Sequence, residues 1–364
     1  MRKFLSAKSN VRLFLLVSLI LALVTFTSFV FVFAEGTQER AIEEVFYFPN
    51  THSHNDYFQP RPLFDAIDNG MGSIEVDVFY LEIHITDDKG NQRVMKELYV
   101  SHGWDDITGD SDYKTRGTLE KLYLAPLYEI YWANRGMIYN TPQETVLLHV
   151  DFKTDTDKTW NLLQSMLKNY PGLFTTYDRD STKVIQGPVT VFTNAEPKNI
   201  PDEWTTFYST ADGRFGNIYD PDVWKSDEYL NSKHRMPIIS SNLRAYNDLA
   251  QFFDFLVDKE DIVSDYVRDY PNLSMGTLYN ELRRDGWELV TQLITDEKIK
   301  VSDYLIDQMA EADRLGREYG HLMRFWGSPD EEWFWDIQSP LTNVLINTDR
   351  PKALREYLIQ LQQQ

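Results

Sequence analysis

Short runs rich in β-branched and aromatic residues recur along this chain, with longer stretches of helical patterning between them. The runs are Val45 to His54, Ser73 to Tyr80, Leu98 to His102, Val146 to Lys153 and Val189 to Asn194, then Thr206 to Thr210, Met236 to Ser240, His321 to Trp326 and Asn343 to Asn347. Helical patterns fall at Pro62 to Asn69, Leu119 to Asn134, Lys158 to Asn169, Leu249 to Phe255, Met275 to Thr295, Val301 to Tyr319 and Lys352 to Leu361. Strands alternating with helices argue for βα units and a parallel sheet. Setting Leu98 to His102 aside as a hairpin arm leaves eight units, which suit a closed (β/α)8 TIM barrel better than an open doubly wound sheet. The expected fold class is therefore α/β, one barrel domain spanning residues 35–364. No Gly-rich turn of the dinucleotide or P-loop type follows any run, so nucleotide binding through those motifs is unsupported.

Polar residues sit on these strands in a way that points inward. A strand alternates its faces with period two. In Ser73-Ile74-Glu75-Val76-Asp77-Val78 the aliphatics share one face, while Ser73, Glu75 and Asp77 share the other. The apolar face of a barrel strand packs on helices, so Glu75 and Asp77 point into the barrel. His149, Asp151 and Lys153 alternate likewise, as do His52, His54 and Asp56. Carboxylates entering a barrel are costly unless paired or bound to a cation. Polar residues at the C-terminal ends of strands are where barrel enzymes keep their active sites. Glu75, Asp77 and Asp151 form an all-oxygen set suited to one divalent cation, Mg²⁺ or Ca²⁺. His54 and His102 stand nearby, and histidine suits proton transfer near neutral pH. Each feature has a plainer reading, since a Glu-x-Asp can be a solvent-facing edge and the Asp151–Lys153 pair a structural ion pair. Their joint placement at successive strand ends favours the functional one.

Composition narrows the partners. With Lys+Arg 36 against Asp+Glu 56 the chain carries a net charge of -20, and a surface that acidic repels nucleic acid. There are no cysteines, which removes thiolate metal sites and cysteine nucleophiles together. Arg2, Lys3, Lys8 and Arg12 precede an uncharged run from Leu13 to Ala34. Residues 1–34 thus read as a signal peptide or a transmembrane anchor, with membrane anchoring through 13–34 in the second case. The basic flank holds the N-terminus in the cytoplasm, so the barrel is expected to be exported, either secreted or held on the outer face of the membrane.

The motifs also resemble a known group. Ser53-His54-Asn55-Asp56-Tyr57, Ile74-Glu75-Val76-Asp77-Val78 and Val100-Ser101-His102-Gly103 look like the X-region of phosphatidylinositol-specific phospholipase C. The Glu-x-Asp and the two histidines are also similar to glycerophosphodiester phosphodiesterases and sphingomyelinase D. Among these relatives the altered inheritance of mitochondria protein 6-like family matches furthest. Its pattern is like His52-x-His54-Asn55-Asp56-Tyr57, Arg61-Pro62-Leu63, Val150-Asp151-Phe152-Lys153-Thr154 and Asp212-Gly213-Arg214, with Arg324-Phe325-Trp326 and Ile346-Asn347-Thr348-Asp349 later.

The resemblance implies a metal-dependent phosphoric diester hydrolase acting on a small-molecule or lipid phosphodiester. By it His54 and His102 are the acid/base pair, and Glu75, Asp77 and Asp151 hold the cation with Asn55 as a fourth ligand. Lys153 and Arg214 contact the phosphate, and Trp326 lies on the substrate side. His52 is a second candidate for the catalytic position, while His84, His149, His234 and His321 read as structural or surface residues. Asn55 stands where glycerophosphodiesterases have a phosphate-binding Arg, and Asp151 where the phospholipases have Glu. Those departures leave the chemistry class standing and the substrate open. Two other readings remain: a non-catalytic barrel binding a cation or head group at the cell envelope, and a glycoside hydrolase using paired carboxylates without metal.

Overall fold

The computed structural model describes residues 46–86, 89–108, 117–140, 144–179, 183–214, 238–243, 251–278, 280, 282 and 287–363. The signal or anchor segment at 1–34, His234 and part of the helix expected at Met275 to Thr295 lie outside them. Nine strands carry the architecture. They are β1 (Phe48–Ser53), β2 (Met71–Thr86), β3 (Gln92–Val100), β4 (Val146–Phe152) and β5 (Val189–Thr193). Then come β6 (Thr210–Ala211 and Gly213–Arg214, either side of Asp212), β7 (Ile238–Asn242), β8 (Leu322–Trp326) and β9 (Val344–Thr348).

All but β3 pair in parallel, each with its neighbours in chain order, and β9 returns to β1. The ring runs through β6, whose first half pairs with β5 and whose second half pairs with β7. This is the eight-stranded barrel that the alternation predicts. β3 runs antiparallel to β2 as the hairpin arm, and both arms are longer than the sequence suggests.

Burial follows the alternation. Ile74, Val76 and Val78 on β2 and Leu148 and Val150 on β4 are fully buried on the outward face, each worth roughly 1.5–3 kcal/mol. The inward residues fall into layers set by register: His52 opposite Ser73, Glu75 opposite His149, and Asp77 opposite Asp151. That stacking of charge toward the C-terminal end is what the outward apolar burial has to support.

The helices carry local reasons. Thr156–Leu167 opens on Asp155, whose carboxylate accepts from the Lys158 amide at 3.1 Å. Asp303–Tyr319 stops at Gly320, with φ 74, and Pro351–Gln362 begins on a proline. No helix among the described residues is long and apolar enough to cross a membrane.

Two expectations are corrected. The fifth barrel strand starts at Thr210 and not at Thr206. Thr206–Phe207 instead pairs antiparallel with Tyr177 and Asp178 in a small separate sheet, and alternation alone cannot say which sheet a strand joins. The helix expected at Leu249 to Phe255 ends in a strand, Phe253–Phe255, paired with Ile299–Val301; Leu249 lies outside the described residues. Phe-Asp-Phe is itself a period-two pattern.

Candidate active site

The loop after β1 presents His54 and Asn55. Its anchor is Asp56, wholly buried, which accepts from the Leu63 amide (2.5 Å), Tyr123 Oη (2.9 Å) and Ser53 Oγ (3.0 Å). These bonds close the loop on itself and hold Asn55 at φ 45, a left-handed conformation that asparagine tolerates. Burial still pushes the Asp56 pKa up to about 6 against those three donors.

Glu75, Asp77 and Asp151 come together as expected, each placing an oxygen within 4.8 Å of the others. Their surroundings differ. Glu75, 3% exposed, meets Arg324 Nη2 at 2.8 Å and His52 Nε2 at 3.2 Å on one oxygen, and His149 Nδ1 at 3.2 Å on the other. Burial alone would raise its pKa, but Arg324 and His149 outweigh that and hold it well below the usual carboxylate range. Asp77 Oδ2 is met by Tyr57 Oη at 2.8 Å, Lys153 Nζ at 3.0 Å and His102 Nδ1 at 3.3 Å. Its Oδ1 is buried with no hydrogen-bond partner, a lone pair directed at nothing in the protein. Asp151 is met by Asn194 and by Lys153 Nζ at 3.1 Å; burial raises its pKa. An all-oxygen trio with one orphaned buried oxygen fits a hard divalent cation.

The two histidines flank the trio. His54 Nδ1 lies 2.8 Å from Asp349 Oδ1 and its Nε2 3.7 Å from Glu75. Burial works to lower its pKa, but the bond to Asp349 and the Glu75 charge prevail and raise it. His102, 57% exposed, is held by Asp77 and Tyr57 and has a raised pKa, chiefly from its bond to Asp77. Lys153 bridges Asp77 and Asp151; burial would lower its pKa, but the two carboxylates raise it, so it stays a cation. His54, His102, Glu75, Asp151 and Lys153 line one open cavity of about 1010 Å³ that also takes in Ser240, Asn242, Arg324 and Trp326.

His54, His102, Glu75, Asp77, Asp151, Asn55 and Lys153 are thus gathered in one place. Asn55 Oδ1 accepts from Tyr57 Oη at 2.8 Å. Trp326 is 41% exposed at the cavity wall. Arg214 ends β6, and its side chain lies outside the described residues. His52, the second candidate, is fully buried between Ser73 and Glu75, and burial with Arg324 lowers its pKa to about 3, so it serves as a neutral support. His149, expected to be structural or surface, is buried, touches Glu75 and stacks on Phe192 with ring centroids 4.5 Å apart. Sequence reasoning missed Arg324 and Asp349 as site residues. Both stand in the late motifs of the resemblance, Arg324 on β8 and Asp349 just past the end of β9, and only ring closure reveals their partners.

Comparison with known proteins agrees with this geometry. Residues 41–199 match the family model described as the AIM6-like phosphodiesterase domain. Altered inheritance of mitochondria protein 6 of Lachancea thermotolerans is 29% identical over 202 residues, 50% of this chain and 43% of that protein. The Candida glabrata protein of the same name is 32% identical over 187 residues, 46% of this chain and 43% of its own length. The matched region thus spans under half the length of these relatives. A glycerophosphodiester phosphodiesterase structure from Agrobacterium tumefaciens aligns over 84% of this chain and 97% of its own, at 14% identity and a TM-score of 0.33, too loose to add to the strand pairing. Over residues 41–199 the chain is similar to the AIM6-like phosphodiesterase domain, which bears out the resemblance carried by its His-Asn, Glu-x-Asp and Asp-Phe-Lys motifs.

Proposed function

We propose that the chain is a phosphoric diester hydrolase acting on a glycerophosphodiester or a phospholipid head group. The observation that carries this reading is the pairing, at one open cavity, of two histidines of raised pKa with Lys153 and a carboxylate trio of which Glu75 and Asp151 line the cavity. A phosphodiester is an anion, and Lys153 is a cation of the cavity wall that meets two of the three carboxylates. It would receive a phosphoryl oxygen and stabilise the charge that builds there. One of His54 and His102 takes the proton of the attacking hydroxyl or water as the new P–O bond forms. The other gives its proton to the alkoxide as the old P–O bond breaks. Asp349 and Asp77 orient the two imidazoles through Nδ1. Glu75, Asp77 and Asp151, with Asn55 beside them, would hold a divalent cation, Mg²⁺ or Ca²⁺, which when bound supplies further positive charge for the phosphoryl group. We place the barrel outside the cytoplasm, secreted or anchored through residues 13–34, because of the basic flank and apolar run that precede it.

The test is hydrolysis by the full chain of glycerophosphodiesters, phosphatidylinositol, lysophospholipids and a chromogenic diester, each with Mg²⁺, with Ca²⁺ and with chelator. Metal-dependent release of one alcohol is the expected result. No turnover on any of them with metal bound would move the reading to a non-catalytic binding barrel. Activity indifferent to chelator would remove the metal from the mechanism.

A further inference from the structure

The three carboxylates are not equivalent, and the difference comes from the far side of the barrel. Arg324 reaches Glu75 from β8, is 3% exposed, and is braced by Asn347 Oδ1 at 3.3 Å. Its guanidinium also stands 3.3 Å from His149 Nδ1. Both oxygens of Glu75 therefore already carry nitrogen partners. His52, Glu75 and His149 form a metal-sized cluster of their own, but Arg324 already fills it with a positive charge. A guanidinium does not lose its proton in a protein, and this one is fixed on both sides. A divalent ion bonded to Glu75 would sit beside it in a poorly screened interior, where like charges repel strongly. Asp77 and Asp151 offer the opposite case. Asp77 keeps one buried oxygen unpartnered, and the cation between the two is Lys153, whose stem is flexible and whose side chain is 27% exposed. Lysine can swing away when an ion or a phosphate arrives; Arg324 cannot.

We propose that Arg324 is a built-in counter-ion for Glu75, so that the divalent cation is held on the Asp77–Asp151 side and Glu75 acts as a positioning residue that organises His52, His54 and His149. This assignment rests on the metal reading above and narrows it. It also sets the net charge that the site offers: with Glu75 neutralised, the trio presents two negative charges to a cation instead of three.

Calorimetric titration of the full chain with Mn²⁺ tests it, with thermal unfolding as the check that each variant folds. Asp77→Asn and Asp151→Asn should each weaken Mn²⁺ binding by more than about 100-fold, because a lost ligand costs more than the 10–100-fold typical of an outer-shell partner. The paired variant Glu75→Gln with Arg324→Met removes both charges together and so leaves no unbalanced buried ion. It should lose no more than about tenfold in Mn²⁺ affinity, the low end of what an outer-shell change costs and well short of a ligand loss. Arg324→Met alone should tighten Mn²⁺ binding, because Glu75 is then freed for the ion; a merely structural role for Arg324 would weaken it. A paired variant that loses as much affinity as Asp77→Asn makes Glu75 a ligand, and weaker binding by Arg324→Met makes Arg324 a structural residue; either result overturns the assignment alone. An unaltered chain that takes up no Mn²⁺ overturns the metal reading, and this assignment with it.

Discussion

His54 shows how much one contact decides at the scale of a residue. Its ring is fixed by Asp349 at one nitrogen and faces Glu75 at the other, and those two carboxylates raise its pKa against burial. Asp349→Asn should therefore lower turnover by about tenfold and move the pH–rate limb that belongs to His54 to lower pH. A pH profile of kcat/KM checks this, and a limb that stays put would separate Asp349 from the chemistry. His54→Ala and His102→Ala should each cost about 100-fold or more in turnover with the melting temperature little changed. Full activity in either variant would remove that histidine from the mechanism. At this scale the sequence was legible wherever alternation on one strand put chemistry on one face, as in Glu75-x-Asp77 and Asp151-x-Lys153. It was not legible for Arg324 and Asp349. Their late motifs mark both positions but not their roles, since both meet their partners only because β8 and β9 close the ring.

At the scale of an element, the loop between β1 and Phe64–Asp68 matters most, because it carries two site residues on a backbone with Asn55 and Leu63 both at positive φ. Asp56 holds it. In the unfolded chain this carboxyl titrates near 3.8 and in the folded one near about 6, so between those values the folded chain keeps a proton that the unfolded chain has lost. Its contribution to stability is thus greatest below the lower value and declines as pH rises through the upper one. Asp56→Asn mimics the protonated form and does not titrate. The stability of the unaltered chain relative to this variant should fall by about 2 kcal/mol from about pH 4 to about pH 7, most of the shift. Denaturant unfolding at stepped pH measures it; a difference that is flat or rises with pH would mean that the three donors fully offset burial. The same element scale marks where reading by pattern failed. Thr206–Phe207 and Phe253–Phe255 both alternate, yet neither belongs to the barrel, since each finds a local antiparallel partner instead. Alternation gives a strand its faces but not its neighbours.

For the whole molecule, the barrel was readable because eight βα units leave few alternatives, while its closing step was not, since β6 changes partner at Asp212 within five residues of chain. What the entire chain adds to the site is its field. The chain carries a net charge of -20, and its cavity is meant, on our reading, for an anion. Lys153 and Arg324 act within a few ångströms, whereas the acidic envelope acts on a substrate still in solvent. That outer repulsion is the part salt can screen: the Debye length falls from about 30 Å at 0.01 M to about 8 Å at 0.15 M. For a singly anionic diester kcat/KM should therefore rise several-fold over that salt range, with kcat unchanged, because screening eases approach without altering the bound state. A zwitterionic diester of zero net charge should show little change. Saturating divalent metal must be kept throughout, since salt also thins the cloud of cations around an acidic protein. If kcat/KM for the anion falls with salt instead, the cavity mouth is locally positive, and residues near it, rather than the envelope, govern the approach.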